Sequence, residues 1–260
     1  MRDAAEDEAG GELRVLVSRL FRQRQELGAP PVFLQSSGRD ELLEALARPA
    51  GRGVASAETE GLVGGRELPT LPTDHAPLKD LVSGCRRCGL SRTRKQVVFN
   101  DGVPDARVVV VGEAPGKNED ETGLPFVGAA GRLLDLLLMT IDLSREESVY
   151  ICNVLKCRPP GNRDPLPDEI EACRPILERQ IEVVAPEVLL ATGRFAAQWL
   201  AGSEAPLGKL RGRVYSYRDI PLVCTYHPAA LLRNAGWTRA TWEDFQLLRK
   251  VLDGGVSPPD

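Results

Sequence analysis

RVVVVG, residues 107–112, is a run of β-branched side chains that ends in glycine. Such a run is typical of a strand that is buried on both faces within a parallel sheet. Three later segments have the same character: VYICNV at 149–154, VLLATG at 188–193 and LVCTYHP at 222–228. The sequence therefore predicts four strands of one sheet.

Helical patterns alternate with these strands, at 131–141, 167–184, 194–200 and 241–252. Regular alternation of strand and helix predicts an α/β fold, here three-layer α/β/α with a central, mostly parallel four-stranded sheet. In open sheets of this kind, ligands bind at the carboxyl ends of the strands. We therefore expect the functional residues to follow the strands directly.

The first 76 residues differ in composition from the rest. They carry 9 basic and 13 acidic side chains, whereas the remaining residues carry 24 of each. Helical spacing occurs at 12–27 and 40–46, and the stretch between 49 and 77 is rich in Gly, Pro, Ala and Thr. The predicted organisation is an acidic extension with helical and flexible parts over 1–76, a domain over 77–253 and a flexible tail over 254–260.

The overall composition is that of a globular protein, with 42% hydrophobic and 27% charged residues. No apolar run approaches the roughly 20 residues that span a bilayer, and the acidic N-terminus lacks the apolar region of a secretory signal. We therefore expect a cytoplasmic location. The net charge of −4 argues against a nucleic-acid partner, but this deficit lies in the extension and leaves the domain balanced.

Six cysteines are unusual for a reducing compartment, where structural disulfides are rare. Cys152 and Cys224 lie in predicted strands and are expected in the core. The other four occur in loops or near helix starts, where thiolates can converge on a metal. Four thiolates suit either zinc or an iron–sulfur cluster, and the spacing leaves both open. These four are Cys85, Cys88, Cys157 and Cys173.

Three of the predicted strands end in residues suited to ligand binding. The turn GEAPG, residues 112–116, lacks the signatures of phosphate and dinucleotide loops, but its glycines allow a ligand to approach the backbone. Asn153 offers an amide donor and acceptor that match one edge of a nucleobase. His227 is one of only two histidines and is expected at the same edge of the sheet. Phe126, on a glycine-rich loop, is suited to stacking on a flat ligand.

Together, these residues stand in motifs that resemble those of family 4 uracil-DNA glycosylases. The motifs are GEAPGKNEDETGLPFVGAAGRLLD at 112–135, VYICNVLKCRPPGNRDPLPDE at 149–169 and HPAALLRN at 227–234. The resemblance covers about residues 78–252. It implies a structural 4Fe–4S cluster on Cys85, Cys88, Cys157 and Cys173. It also implies hydrolysis, since the short segment after 161 lacks the histidine of covalently trapping relatives.

The resemblance further implies roles for individual residues. Phe126 would stack on a uracil flipped out of DNA, Asn153 would read its edge, and His227 would stabilise the departing base. The water-orienting residue is Glu113, Glu119 or Asn162, and thymine would be excluded by Glu119 or by the backbone of Glu113 and Ala114. Gly112, Ala114, Pro115 and Gly116 would also contact the substrate. Leu231 would act as a wedge that fills the gap left by the flipped nucleotide. The residues that would contact DNA phosphates are Arg233, Arg86, Arg87, Arg92, Arg94 and Lys95.

These expectations lead to a monomeric uracil-DNA glycosylase of base excision repair that acts on single- or double-stranded DNA. Two alternatives stay open: a glycosylase of broader range that also removes deaminated purines, and a non-catalytic DNA-binding module. In either case, a protein partner for the extension is a further hypothesis.

Overall fold

The computed structural model describes residues 70–258 of the 260-residue chain. Its centre is a six-stranded sheet in the order β1-β3-β2-β4-β6-β5. The inner strands β3, β2, β4 and β6 are parallel, and the outer strands β1 and β5 pair antiparallel to their neighbours. The strands are β1 (Asp101–Gly102), β2 (Val108–Gly112), β3 (Val149–Asn153), β4 (Val188–Thr192), β5 (Val214–Tyr217) and β6 (Ile220–Thr225).

Helices cover both faces of this sheet. Their bounds are α1 (His75–Ser83), α2 (Lys117–Thr122), α3 (Ala129–Met139), α4 (Pro167–Val184), α5 (Arg194–Ala201), α6 (Leu207–Leu210), α7 (Pro228–Arg233) and α8 (Thr238–Leu252). A hydrophobic core lies between the sheet and the helices on each face. Successive side chains of a strand point to opposite faces, so the fully buried β2 contributes side chains to both cores. Val108 and Val110 pack with α3, α7 and α8, whereas Val109 and Val111 pack with α4, α5 and α6.

The three-layer α/β prediction is confirmed, and the four predicted strands form the parallel part of the sheet. The two edge strands, β1 and β5, were not predicted from the sequence. β1 has only two residues, and β5 is partly exposed and varied in composition, so neither carries the apolar run of a buried strand. Helix α4 has the predicted bounds, and the other three predicted helices differ by a few residues at their starts or ends.

The predicted helices at 12–27 and 40–46, with almost all of the 1–76 extension, lie outside the described residues. Within residues 70–258, no helix has the length and apolarity that crossing a membrane requires.

Candidate functional site

A pocket of about 360 Å³ opens where β2, β3 and β6 end. The pairing of β2 with β3 places Gly112 directly beside Asn153, and β6 leads through Tyr226 to His227. The three polar or glycine-rich ends that the sequence singled out therefore meet at one edge of the sheet. The pocket is lined by Glu113, Ala114, Pro115, Gly116, Glu119, Phe126, Ala130, Asn153, Pro159, Asn162, Arg163, His227, Ala229 and Arg233.

The wall formed by Asn153 and Phe126 depends on the missing side chain of Gly112. A Cβ atom at residue 112 would lie 2.2 Å from Asn153 Oδ1 and 2.7 Å from the Phe126 ring. No real Cβ tolerates such contacts, so only glycine allows both side chains to pack over the end of β2. The backbone of Asn153 is held as well, because Lys156 Nζ donates to its carbonyl oxygen at 2.5 Å.

Phe126 is buried and has a left-handed backbone, with φ of 54°. A non-glycine residue adopts this conformation at a cost, so the surroundings must stabilise it. The Arg145 guanidinium donates to the carbonyl oxygens of Pro125 at 3.3 Å and Phe126 at 3.1 Å. On the other side, Gly131 of α3 lies so close that a Cβ there would overlap the Phe126 carbonyl oxygen.

Arg145 is itself fixed by two carboxylates. Its guanidinium pairs with Asp101 of β1 at 2.5 Å and with Asp135 of α3 at 2.7 Å, and its side chain is only 14% exposed. The planar guanidinium can donate in several fixed directions at once, which suits it to this role. Arg145 thereby links β1, α3 and the loop that carries Phe126.

His227 is the N-cap residue of α7. Its Nδ1 accepts a hydrogen bond from the N–H of Ala229 at 3.1 Å, so the neutral ring carries its proton on Nε2. Burial, assisted by the positive charge of Arg233, lowers the pKa of His227 to about 4. The imidazole also stacks on Phe126, with ring centroids 5.3 Å apart. His227 is thus a neutral donor at ordinary pH.

The three candidates for orienting a water all line the pocket, in different surroundings. Glu119 Oε1 accepts from the N–H of Val127 at 3.3 Å, and Asn162 Oδ1 accepts from Arg158 Nε at 2.7 Å. Burial raises the pKa of the Glu113 carboxyl, and the negative charge of Asp164 adds to this effect. The Glu113 carboxylate is therefore a better proton acceptor than an ordinary glutamate.

The four cysteines predicted to bind a metal, Cys85, Cys88, Cys157 and Cys173, lie close together beside the pocket. Cys157 and Cys173 are buried in an apolar cluster against which Cys88 packs, and Cys85 is near enough to influence the pKa of Cys88 and Cys157. Ala114 of the glycine-rich turn packs against the same cluster. All six cysteines are free thiols, and Cys152 and Cys224 are buried in the sheet as expected.

Burial is the largest influence on the pKa of the Cys157 and Cys173 thiols. It raises the pKa of Cys157 to about 11 and that of Cys173 to about 12. Arg94 opposes this at Cys157, where its Nη1 lies 3.1 Å from Sγ. Across residues 70–258, no three His, Cys, Asp or Glu side chains converge on a single metal ion. A cluster places its thiolates on different iron atoms, so this finding leaves the donor set compatible with a cluster.

The predicted DNA-binding residues have different surroundings. Arg233 is exposed and lines the pocket, whereas Leu231 is 0% exposed and packs in the core beneath α7. The wedge role of Leu231 stays a prediction; its burial was not foreseen, because a position in the motif says nothing about which helix face is buried. A second cavity of about 840 Å³ is lined by several of the predicted basic residues: Arg86, Arg87, Arg92, Arg94 and Lys95.

Sequence reasoning missed two arginines of the site. Arg163 lines the pocket and pairs with the buried Glu169 at 2.6 Å, although it stands within a quoted motif. Arg145 lies outside every motif, and its partners are 10 to 44 residues away in the chain. No local pattern identifies a residue that acts through such distant contacts.

Comparison with known proteins bears on this site. The sequence profile of the uracil DNA glycosylase superfamily matches residues 99–246. The type-4 uracil-DNA glycosylase of Sulfurisphaera tokodaii is 40% identical over 182 residues, which cover 67% of this chain and 83% of the relative. Those of Archaeoglobus fulgidus and Saccharolobus solfataricus are 45% and 42% identical, covering 65% and 67% of this chain and 89% and 85% of the relatives.

The close contact between Gly131 and Phe126 predicts that alanine at this glycine, unlike alanine at an uncrowded glycine, destabilises the protein. Gly131→Ala should lower the free energy of unfolding by about 1–3 kcal/mol, because the added methyl group forces α3 away from the Phe126 carbonyl. The measurement is denaturant unfolding of the purified protein. Gly84→Ala is the control, since a Cβ there meets nothing within 4 Å. Equal stability of the two variants would contradict the packing described.

Proposed function

The chain belongs to the uracil-DNA glycosylase superfamily, among its type-4 enzymes, and we propose how its pocket residues remove uracil from DNA. The protein is a hydrolase of DNA repair that cleaves the bond between uracil and deoxyribose. The convergence of Asn153, Phe126 and His227 on one pocket carries the residue assignments. Because uracil is stacked within duplex DNA, the nucleotide must first be flipped out, which costs a few kcal/mol.

We propose that Phe126 and Asn153 recognise the flipped base. The ring of Phe126 stacks on one face of uracil, and the Asn153 amide donates to O4 and accepts from N3–H. Cytosine presents the opposite donor and acceptor at these two atoms. It would leave the amide unpaired in a buried site, and such sites discriminate strongly.

Thymine differs from uracil only by a methyl group, so its exclusion must be steric. The Glu119 carboxylate is held by the N–H of Val127 and lies against Gly116, where a Cβ would be 2.6 Å from Oε2. We assign the rigid wall that excludes the methyl group to Glu119, together with the neighbouring backbone of Glu113 and Ala114.

Bond cleavage sends the electron pair of the C1′–N1 bond to uracil, which leaves as an anion. We propose that His227 donates from Nε2 to O2, where this negative charge develops. The donor is fixed before the reaction because Nδ1 is occupied by the N–H of Ala229. A preorganised donor of this kind is typically worth about 100- to 1000-fold in rate.

A water molecule then attacks C1′ of the sugar. We assign its orientation to Glu113, because its raised pKa makes it a better proton acceptor, whereas Glu119 Oε1 and Asn162 Oδ1 each already accept a hydrogen bond. The proton of the water passes to this carboxylate, and the sugar is left with a hydroxyl at C1′.

We infer that Cys85, Cys88, Cys157 and Cys173 hold a 4Fe–4S cluster. The four free thiols fit the donor set of such a cluster, whose iron would supply the positive charge that buried thiolates require. The role is structural. Ala114 packs against the cysteine cluster, and Leu155 N–H donates to the Glu113 carbonyl at 3.0 Å, so this region supports the wall of the pocket.

Outside the pocket, we assign DNA binding to positively charged side chains that contact phosphates. We propose that Arg233 contacts phosphates at the pocket mouth, and that the cavity lined by Arg86 and Arg87 accepts the DNA backbone farther away. Such contacts position DNA without reading its sequence. We also propose a cytoplasmic location, a monomeric state and a protein partner for the extension. Release of hypoxanthine from DNA would identify a glycosylase of broader range.

Removal of the base-reading amide or of the imidazole should abolish most of the activity. Asn153→Ala and His227→Ala should each lower uracil release from an oligonucleotide by about 100-fold or more. Asn100→Ala and His75→Ala are matched controls, because both residues are part-buried or buried and neither lines the pocket. Full activity in either pocket variant would refute its role, and no uracil release by the unsubstituted protein would refute the function.

The protonation state of His227 can be observed directly. Because burial lowers its pKa to about 4, the ring should stay neutral from pH 8 down to about pH 5 and become charged only below that. Nitrogen-15 NMR of the imidazole should show the proton on Nε2, with assignment by the His75→Ala variant. A pKa near 6.5, or a proton on Nδ1, would contradict the proposed donor.

The metal assignment predicts which cysteines are needed for iron and sulfide binding. Alanine at Cys85, Cys88, Cys157 or Cys173 should reduce the iron and acid-labile sulfide of the purified protein and lower its thermal stability. Cys152→Ala and Cys224→Ala should retain both contents, since these thiols lie in the sheet. Protein purified without air that carries zinc and no sulfide would show that the site is not an iron–sulfur centre.

A further inference from the structure

Trp237 is an exposed aromatic side chain near the pocket, in the short turn between α7 and α8. Its ring stacks on Tyr226, with centroids 4.5 Å apart and planes 10° from parallel. The side chain is nevertheless 38% exposed, one of five large apolar residues with such exposure in the described part of the chain. An aromatic ring that is supported on one face and open to solvent elsewhere is suited to stacking on a second flat group.

The turn that carries Trp237 is fixed by hydrogen bonds. Asn234 Oδ1 accepts from the N–H of Gly236 at 3.1 Å, and the N–H of Trp237 donates to the Asn234 carbonyl at 3.2 Å. On the α8 side, Thr241 Oγ1 donates to the Trp237 carbonyl at 3.0 Å. The ring is therefore held in place before any ligand arrives.

Tyr226 is supported from beneath. The Arg211 guanidinium lies 5.5 Å from the centre of the Tyr226 ring and is held by two hydrogen bonds to the buried Asp244, at 2.9 and 3.0 Å. The Tyr226 and Trp237 rings therefore form a stack that ends at the surface, and a fixed guanidinium lies near its inner ring.

The position and charge of this stack fit DNA. Tyr226 directly precedes His227, and Trp237 lies four residues beyond Arg233, which lines the pocket. From Tyr226 to Trp242 the chain contains Arg233 and Arg239 and no carboxylate; Arg239 pairs with Glu243 at 3.1 Å, so the charge in this direction is mainly that of Arg233. A phosphate backbone that leaves the pocket in this direction therefore meets positive charge beside the exposed ring.

We propose that the Tyr226–Trp237 pair is a stacking platform for an unpaired base that flanks the uracil in single-stranded DNA. This inference rests on the glycosylase function and adds to it a site for a second nucleotide. Bases of a duplex are already stacked on their neighbours, whereas an unpaired base gains a partner by binding an aromatic ring. The platform thus favours single-stranded substrate.

The direct test compares the affinity of the full chain for two DNA forms. Both carry a 2′-fluorinated deoxyuridine, which resists cleavage, as a single strand or in a duplex. Trp237→Ala should weaken single-strand binding by at least about fivefold and change duplex binding much less. Trp237→Phe should retain most of the single-strand affinity, since it keeps an aromatic face.

A double-mutant cycle identifies the occupant. Abasic linkers replace the bases beside the uracil one at a time, and at one position the loss should be large for the unsubstituted protein and nearly absent for Trp237→Ala. Trp199→Phe is the control, because that ring pairs with Tyr217 and does not line the pocket.

Two results would overturn the proposal. Equal weakening of single-strand and duplex binding would assign Trp237 a merely structural role, and a cycle without coupling would show that no flanking base occupies the platform. Either result leaves uracil release by the unsubstituted protein intact, so failure of the platform is distinct from failure of the glycosylase function.

Discussion

The close approach at the end of β2 is the contact on which the site depends. With no side chain at Gly112, the Asn153 amide and the Phe126 ring pack over the last residue of the central strand. The parallel pairing of β2 with β3 sets the register that brings Gly112 and Asn153 side by side. The proposed base-recognition residues are therefore positioned by the sheet itself, and the loops complete the pocket.

His227, the proposed donor to the departing base, is also oriented by the backbone. His227 ends the connection from β6 and begins α7, and one helix-capping hydrogen bond fixes both its position and its tautomer. Burial lowers the pKa of His227 and so keeps its ring neutral. A single arrangement of strand, turn and helix thus supplies geometry, protonation state and a low local dielectric, which strengthens the hydrogen bond to a developing charge.

The sequence predicted the parts of this protein that local patterns determine. The run of valines in β2 and the glycine, asparagine and histidine after three strands were enough to predict the parallel core and the edge where the pocket lies. The two-residue β1 has no pattern to detect. The burial of Leu231 could not be predicted, because a motif position does not reveal which face of a short helix is buried. Arg145 was missed because its partners are brought to it only by the completed fold.

The guanidinium of Arg145 has a consequence for how this family varies. One side chain satisfies carboxylates on β1 and α3 and two carbonyl oxygens of the loop that holds Phe126. Loss of the arginine would leave Asp101 and Asp135 facing each other without a counter-charge, and loss of one aspartate would loosen the loop. These three positions are separated in the chain but their side chains depend on one another. We therefore expect them to covary among related sequences.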